Sequence, residues 1–127
     1  MGSFRDLKVW QKAMDLVEYI YKATSNYPSE EKYALSNQMR RASVSIASNI
    51  AEGYGRGTDK DLTHFLFMAK GSSNELAVQI DLSQRLNFMD EKTFNQIEPL
   101  NMEVNKMLSS LIYRRQNKLD SFGKSEA

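Results

Sequence analysis

Apolar residues return at every third or fourth position along four successive stretches of this chain, which predicts four amphipathic α-helices. In the first, Phe4 to Ser25, Trp10, Ala13, Met14, Val17, Ile20 and Tyr21 make one stripe, and Lys8, Lys12, Asp15, Glu18 and Lys22 fall mostly outside it. "NYPSEEK" breaks the period: Pro28 disfavours helix at Tyr27, Ser29 is a cap, and Glu30 and Glu31 complement a new N-terminus. The second helix is expected from Ser29 to Gly53, with the stripe Leu35, Met39, Ala42, Ile46, Ile50 and Gly53. Thr58 opens the third, with Asp61 in a capping-box-like position and the stripe Leu62, Phe65, Leu66, Ala69, Ser73, Leu76, Ile80 and Ser83.

Asp90 caps the fourth helix, whose stripe is Phe94, Ile97, Leu100, Val104, Met107, Leu108, Leu111 and Ile112. Pro99 lies inside this pattern and predicts a kink, or a short helix before a longer one. Arg114 and Arg115 occupy the last turn, where positive charge suits the helix dipole. The period is lost in "KLDSFGKSEA". The expected fold is all-α, an antiparallel up-and-down four-helix bundle over residues 1–117 with a flexible C-terminal tail at 118–127.

Two helices carry a second apolar face. On the second helix it is Tyr33, Val44, Ala47, Ala51 and Tyr54, and on the third Phe67, Gly71, Val78 and Leu82. A helix in a monomeric bundle needs one broad buried face, so these second faces predict a homo-oligomer, with Val44, Ala47, Ala51, Tyr54, Phe67, Gly71, Val78 and Leu82 at the interface.

Composition narrows the chemistry. The 127 residues include no cysteine, which excludes disulfides and thiolate catalysis and makes a reducing cytoplasm the expected compartment. No apolar run reaches the roughly 20 residues of a membrane helix, and "MGSFRD" has neither region of a secretory leader. Seventeen basic residues against 16 acidic ones leave a net charge of +1, so nucleic acid would need a local patch. Arg40, Arg41, Arg56, Lys60 and Lys70 are the candidates for it. His64, the single histidine, lacks a metal-binding context and is expected at a surface or interface. No metal, cofactor or small-molecule substrate is expected.

"SNIAEGYGRG" raises the question of a phosphate loop. Its glycines, Gly53, Gly55 and Gly57, follow a helix instead of a strand, and Thr58 and Asp59 stand where a P-loop needs Lys and Ser or Thr. Asp59 and Asp61 would also repel phosphate. The expectation is a helix stop using a left-handed glycine. Asn49 falls within the core stripe, so Arg41, Asn49, Glu52 and Glu75 are expected to form a buried hydrogen-bonded network with an Arg–Glu pair. Catalysis by Glu52 and Glu75 as an acid–base pair is the weaker alternative, because no further catalytic constellation supports it.

The segments "FRDLKVWQKAMDLVEYIYKAT", "QMRRASVSIASNIAEGYGRG" and "FLFMAKGSSNEL" resemble the four-helix-bundle proteins encoded in intervening sequences of 23S ribosomal RNA genes, also called S23 ribosomal proteins. The resemblance runs from Phe4 to about Arg115. It implies a homopentameric ring and a kinship with the accessory proteins of diversity-generating retroelements, which bind nucleic acid through a basic surface. The function expected is a non-enzymatic oligomer associated with RNA or a ribonucleoprotein; the alternative is an assembly scaffold without nucleic acid.

Overall fold

The computed structural model describes residues 2–31 and 34–126, with side chains described as far as Lys118. Its helices are α1 (Lys8–Thr24), α2 (Leu35–Tyr54), α3 (Asp59–Arg85) and α4 (Glu91–Glu126), with short 3-10 turns at Phe4–Asp6 and Ser29–Glu31. Each helix packs on two neighbours, α1 on α2 and α4, and α3 on α2 and α4; among the described residues the backbones of the diagonal pairs stay farther apart. Short connections between consecutive helices make this an up-and-down bundle. No described helix is long and apolar enough to cross a membrane.

Helix ends follow local chemistry. The Thr58 hydroxyl accepts the Asp61 N–H at 3.1 Å, and Asp90 Oδ1 accepts the Thr93 N–H at 2.7 Å. The Thr93 hydroxyl and N–H hold the Asp90 carboxyl below its usual range. α2 begins later than expected: after the turn at Ser29–Glu31, Glu31 Oε2 receives the Leu35 N–H at 3.3 Å. Glu31, not Ser29, therefore serves its first turn. Tyr33 lies outside the described residues.

α4 is one continuous helix through Pro99, not a short helix followed by a longer one. Proline removes one backbone bond there, but buried Ile97, Asn101 and Val104 on either side keep the segment against the bundle. The helical backbone continues to Glu126, through the run where the lost apolar period predicts a tail. From Tyr113 to Lys118 no side chain is buried.

The core is made by Leu16 and Ile20 of α1, Met39, Ile46 and Ile50 of α2, Leu66, Leu76 and Ile80 of α3, and Ile97, Val104 and Leu108 of α4. Burying each such side chain contributes about 1.5–3 kcal/mol. α1 is turned from its expected phase. Its buried residues are Val9, Ala13, Leu16, Ile20 and Thr24, while Met14 and Tyr21 are exposed and Trp10 and Val17 half-buried. Both faces of α1 are apolar, and the purely aliphatic one takes the interior while Trp10 and Tyr21, with polar tips, stay at the edge. The displaced stripe has its own use: Trp10, Met14 and Val17 line a shallow groove with Phe4, Val44, Ala47 and Ala51. The second apolar face of α2 therefore turns toward α1 of the same chain. Ala47 is buried, Ala51 and Tyr54 are half-buried, and of the α2 residues expected at an oligomer interface only Val44 is exposed.

A buried polar cluster joins α3 to α4. Ser73 Oγ donates to Asn101 Oδ1 at 2.8 Å, and Asn101 Nδ2 donates to the Ser73 carbonyl at 3.0 Å. Asn105 Nδ2 donates to Ser73 Oγ at 3.1 Å and to Asn74 Oδ1 at 2.9 Å. Sliding α4 by one turn would strand Asn101 in the apolar layer, so the cluster sets the register of the two helices. Asn101→Ala is expected to lower the unfolding free energy by about 1–3 kcal/mol in urea titrations. A double-mutant cycle with Ser73→Ala should reveal a coupling energy; strictly additive effects would contradict the register lock.

Candidate interaction surfaces

The stretch 48–57 closes α2 and turns into α3. Gly55 ends the helix in right-handed conformation, φ −84°, and its N–H bonds back to the Ala51 and Glu52 carbonyls at 3.2 and 3.1 Å. No described glycine has a positive φ; the left-handed residue is Asn87, φ 61°, in the α3–α4 turn. The left-handed glycine expected in this loop is thus replaced by a different requirement, space. A Cβ on Gly53 would stand 2.9 Å from Phe65 Cβ and 3.1 Å from Leu62 Cδ1. Gly53 lets α3 come close at the point where the chain doubles back.

The expected buried network does not form as a unit. Asn49 is half-buried and donates from Nδ2 to the carbonyl and hydroxyl of Ser45, at 2.9 and 3.0 Å, within its own helix. Ser45 reaches α3 through Ser72, 2.9 Å between hydroxyls. Glu52 is exposed and pairs with Arg56 at 2.7 Å. Arg41 and Glu75 do share a polar groove between α2 and α3, with Gln38, Ser45 and Ser72, but make no ion pair. The cause is helical phase: Ala42, Ser45, Asn49 and Gly53 face the α2–α3 seam, whereas Arg41 and Glu52 are rotated outward from it. Glu52 also lies ten residues along α2 from Ala42, which lines the groove with Glu75, an offset of about 15 Å. The two carboxylates are too far apart to act on one substrate atom. Asn101 is a buried amide that sequence reasoning missed, as it missed Gln79, although the place of Asn101 between Ile97 and Val104 in the apolar period was a readable signal.

The candidate nucleic-acid residues are dispersed. Arg40 clasps the end of α1: Nε donates to Thr24 Oγ1 at 2.9 Å, Nη2 to the Tyr21 carbonyl at 3.3 Å, and the guanidinium lies 4.5 Å from the Tyr21 ring centroid. Arg56 pairs with Glu52 and lies 4.9 Å from the Phe65 ring centroid. Arg41 is 15 residues from Arg56 along the chain, near the other end of α2, and Lys70 stands one turn before Asn74, on the side of α3 that meets α4. Arg41, Lys60 and Lys70 make no ion pair among the described residues. His64 is exposed, its ring edge-on to Phe65 at 5.6 Å.

At the start of α3, Asp59 Oδ2 meets Lys118 Nζ at 2.8 Å and Oδ1 meets Arg115 Nη1 at 3.3 Å. The Lys118 hydrogen bond first, then the charges of Lys118 and Arg115, hold the Asp59 carboxyl below its ordinary value of 3.8. This clasp ties the distal part of α4 to the α2–α3 turn.

Besides the α1–α2 groove at Trp10 and Met14, two further apolar surfaces are open among the described residues. One is a ridge on α3 directly opposite its buried Leu62, Leu66 and Ile80: Phe67 is 47%, Val78 60% and Leu82 44% exposed. Gly71 lies in the middle of this ridge, and nothing approaches within 4 Å of a Cβ placed there. The other is a groove where the N-terminal turn of α1 meets α4, floored by Leu7, Pro99, Met102, Met107 and Leu111. It did not figure among the expected sites, because its two walls are about 90 residues apart in sequence.

An all-α bundle with exposed apolar surfaces and no convergent catalytic groups among its described side chains belongs to the class of small helical-bundle proteins. Residues 5–110 match the model of the 23S rRNA-intervening sequence protein family, and the chain belongs to that family. It is similar to the crystal structure of a protein with unknown function from the S23 ribosomal protein family of Bacteroides thetaiotaomicron, with a TM-score of 0.74 and 26% sequence identity. That likeness covers 82% of this chain and 97% of the other. No curated protein matches the chain.

Two outcomes follow from the turn and its clasp. Gly53→Ala should destabilise the bundle by about 1–3 kcal/mol, because Phe65 Cβ cannot move without its helix, while Gly71→Ala should stabilise the isolated single chain by about 0.5–1 kcal/mol through helix propensity. Thermal unfolding of both variants checks the opposite signs. For Asp59, a carboxyl lowered in the folded state contributes stability that is fully present above pH 3.8 and is lost as pH falls through its lowered folded value. Asp59→Asn should therefore be less stable than the parent at pH 7 and converge with it in strong acid, measured by denaturant titration at each pH; a constant difference would contradict the clasp.

Proposed function

We propose that this protein is a non-enzymatic scaffold that works as an assembly of several copies of itself. The observation that carries the proposal is the α3 ridge of Phe67, Val78 and Leu82, apolar, exposed and diametrically opposite the core. An isolated exposed leucine is ordinary, but a stripe running about four turns along one helix, with a glycine notch at Gly71 and Asn74 and Glu75 at its middle, fits the close approach of a second helix. Five copies is the number favoured by the family resemblance, and a cytoplasmic setting suits the cysteine-free composition. Of the residues proposed for the interface, Phe67, Gly71, Val78 and Leu82 carry the contact, joined by Val44; Ala47, Ala51 and Tyr54 serve the packing of α2 on α1.

An RNA-associated role is the second reading, favoured by Arg41, Lys60 and Lys70, which make no ion pair among the described residues. In an assembly these three cations would repeat around the axis and could contact phosphates without reading sequence. Arg40 and Arg56 contribute less, because internal contacts already engage their guanidinium groups.

Phe67→Glu combined with Val78→Glu is expected to reduce the assembly to single chains, with helicity unchanged because both side chains are already exposed. Light scattering and circular dichroism check the two halves of that outcome. A parent protein that is monomeric at every concentration would refute the proposal. Filter binding of single-stranded and structured RNA, with Arg41→Ala and Lys60→Ala in the assembled protein, tests the second reading.

A further inference from the structure

The groove between the start of α1 and the outer side of α4 shares no residue with the interface proposed above. Leu7, Pro99, Met102, Met107 and Leu111 give it an apolar floor, and Met102 is 49% exposed there. From Pro99 to Arg114 it follows α4 for about 22 Å, some four helical turns.

Its rim is electrically lopsided. Lys8, Lys106 and Arg114 line it and make no ion pair among the described residues. Glu103, the nearest acid to Met102, is neutralised by Lys12 at 2.9 Å, which leaves Glu98 as the remaining acid on the lining. The cations gather toward one end, since Lys8 begins α1 beside the part of α4 that carries Lys106 and Arg114, while Glu98 stands at the other.

We infer that this groove is a docking site for an amphipathic α-helix of another protein, with leucine-like residues at i, i+3, i+4 and i+7 and acidic residues flanking them. An apolar floor of four turns matches one face of such a helix, and the rim selects its charge. RNA would satisfy Lys8, Lys106 and Arg114, but none of the residues lining the groove is an aromatic platform on which a base could stack. A second copy of this chain through its α3 ridge would bring Arg85 and Asp81 together beside Leu82 and Glu75 near the centre, a mixed charge that matches a cationic rim less well than an acid-flanked helix.

The test uses the full chain and a fluorescein-labelled helical peptide of about 16 residues, with leucines at that spacing and glutamates on the flanks, beside a twin in which lysines replace the glutamates. Anisotropy titrations should show the acidic peptide binding at least about tenfold more tightly than the basic one. Met102→Glu should abolish that binding, and Lys106→Glu with Arg114→Glu should reverse the preference; all three positions are exposed, so the fold is expected to survive. Phe67→Glu with Val78→Glu should leave peptide binding intact, which separates this site from the proposed assembly. Equal affinity for both peptides, no binding of either, or binding unaffected by Met102→Glu would overturn the inference. So would a Met102→Glu protein whose assembly falls apart, which would assign the groove to a second copy, or an RNA oligonucleotide that binds only while Lys106 and Arg114 are present.

Discussion

The closeness of α2 to α3 is the constraint on which the rest of the bundle depends. Ala42, Ser45, Asn49 and Gly53 present a seam of small or narrow side chains, and Leu62, Phe65 and Ser72 come down onto it, with less than a methyl group's room at Gly53. Two helices packed this tightly behave as one rigid hairpin. α1 then lies against α2 through Ala47 and Ala51, and α4 against α3 through the Ser73–Asn101 cluster. α1 and α4 meet least extensively, and their junction leaves an apolar floor uncovered.

Much of this architecture was legible in the residues, and its failures have identifiable causes. Thr58 and Asp90 were readable as caps because a cap acts on its own next turn, and both bond as expected. The stripes of α2 and α3 were readable because one face is clearly richer than the other. α1 was not, since Val9, Leu16 and Ile20 compete with Trp10, Met14 and Tyr21 on a neighbouring face, and only packing decides which enters the core. Asn101 was passed over because an amide counts as polar in a pattern search, even where the period places it among Ile97, Val104 and Leu108.

The candidate sites were less legible than the fold. Arg40 reads as a surface cation until Tyr21 and Thr24, 19 and 16 positions earlier, arrive beside it from another helix. Arg41 and Glu75 line one groove without pairing, because direct pairing requires a phase that neither helix has. Among the glycines of 48–57, Gly53 serves the proximity of two backbones, and none of the three makes the left-handed turn that was expected. In each case the missing information was the rotation of one helix about its axis relative to the next, a quantity that sequence spacing alone leaves free.

The register lock between α3 and α4 is made of hydroxyls and carboxamides, none of which carries a net charge. Added electrolyte at 0.1 M largely screens surface charges more than about 10 Å apart but has little hold on a buried neutral cluster. The interior alignment of this protein should accordingly be indifferent to ionic strength, while its lysine- and arginine-rimmed surfaces respond to it. A fold organised in this way can be rinsed of weakly held companions without losing its own shape.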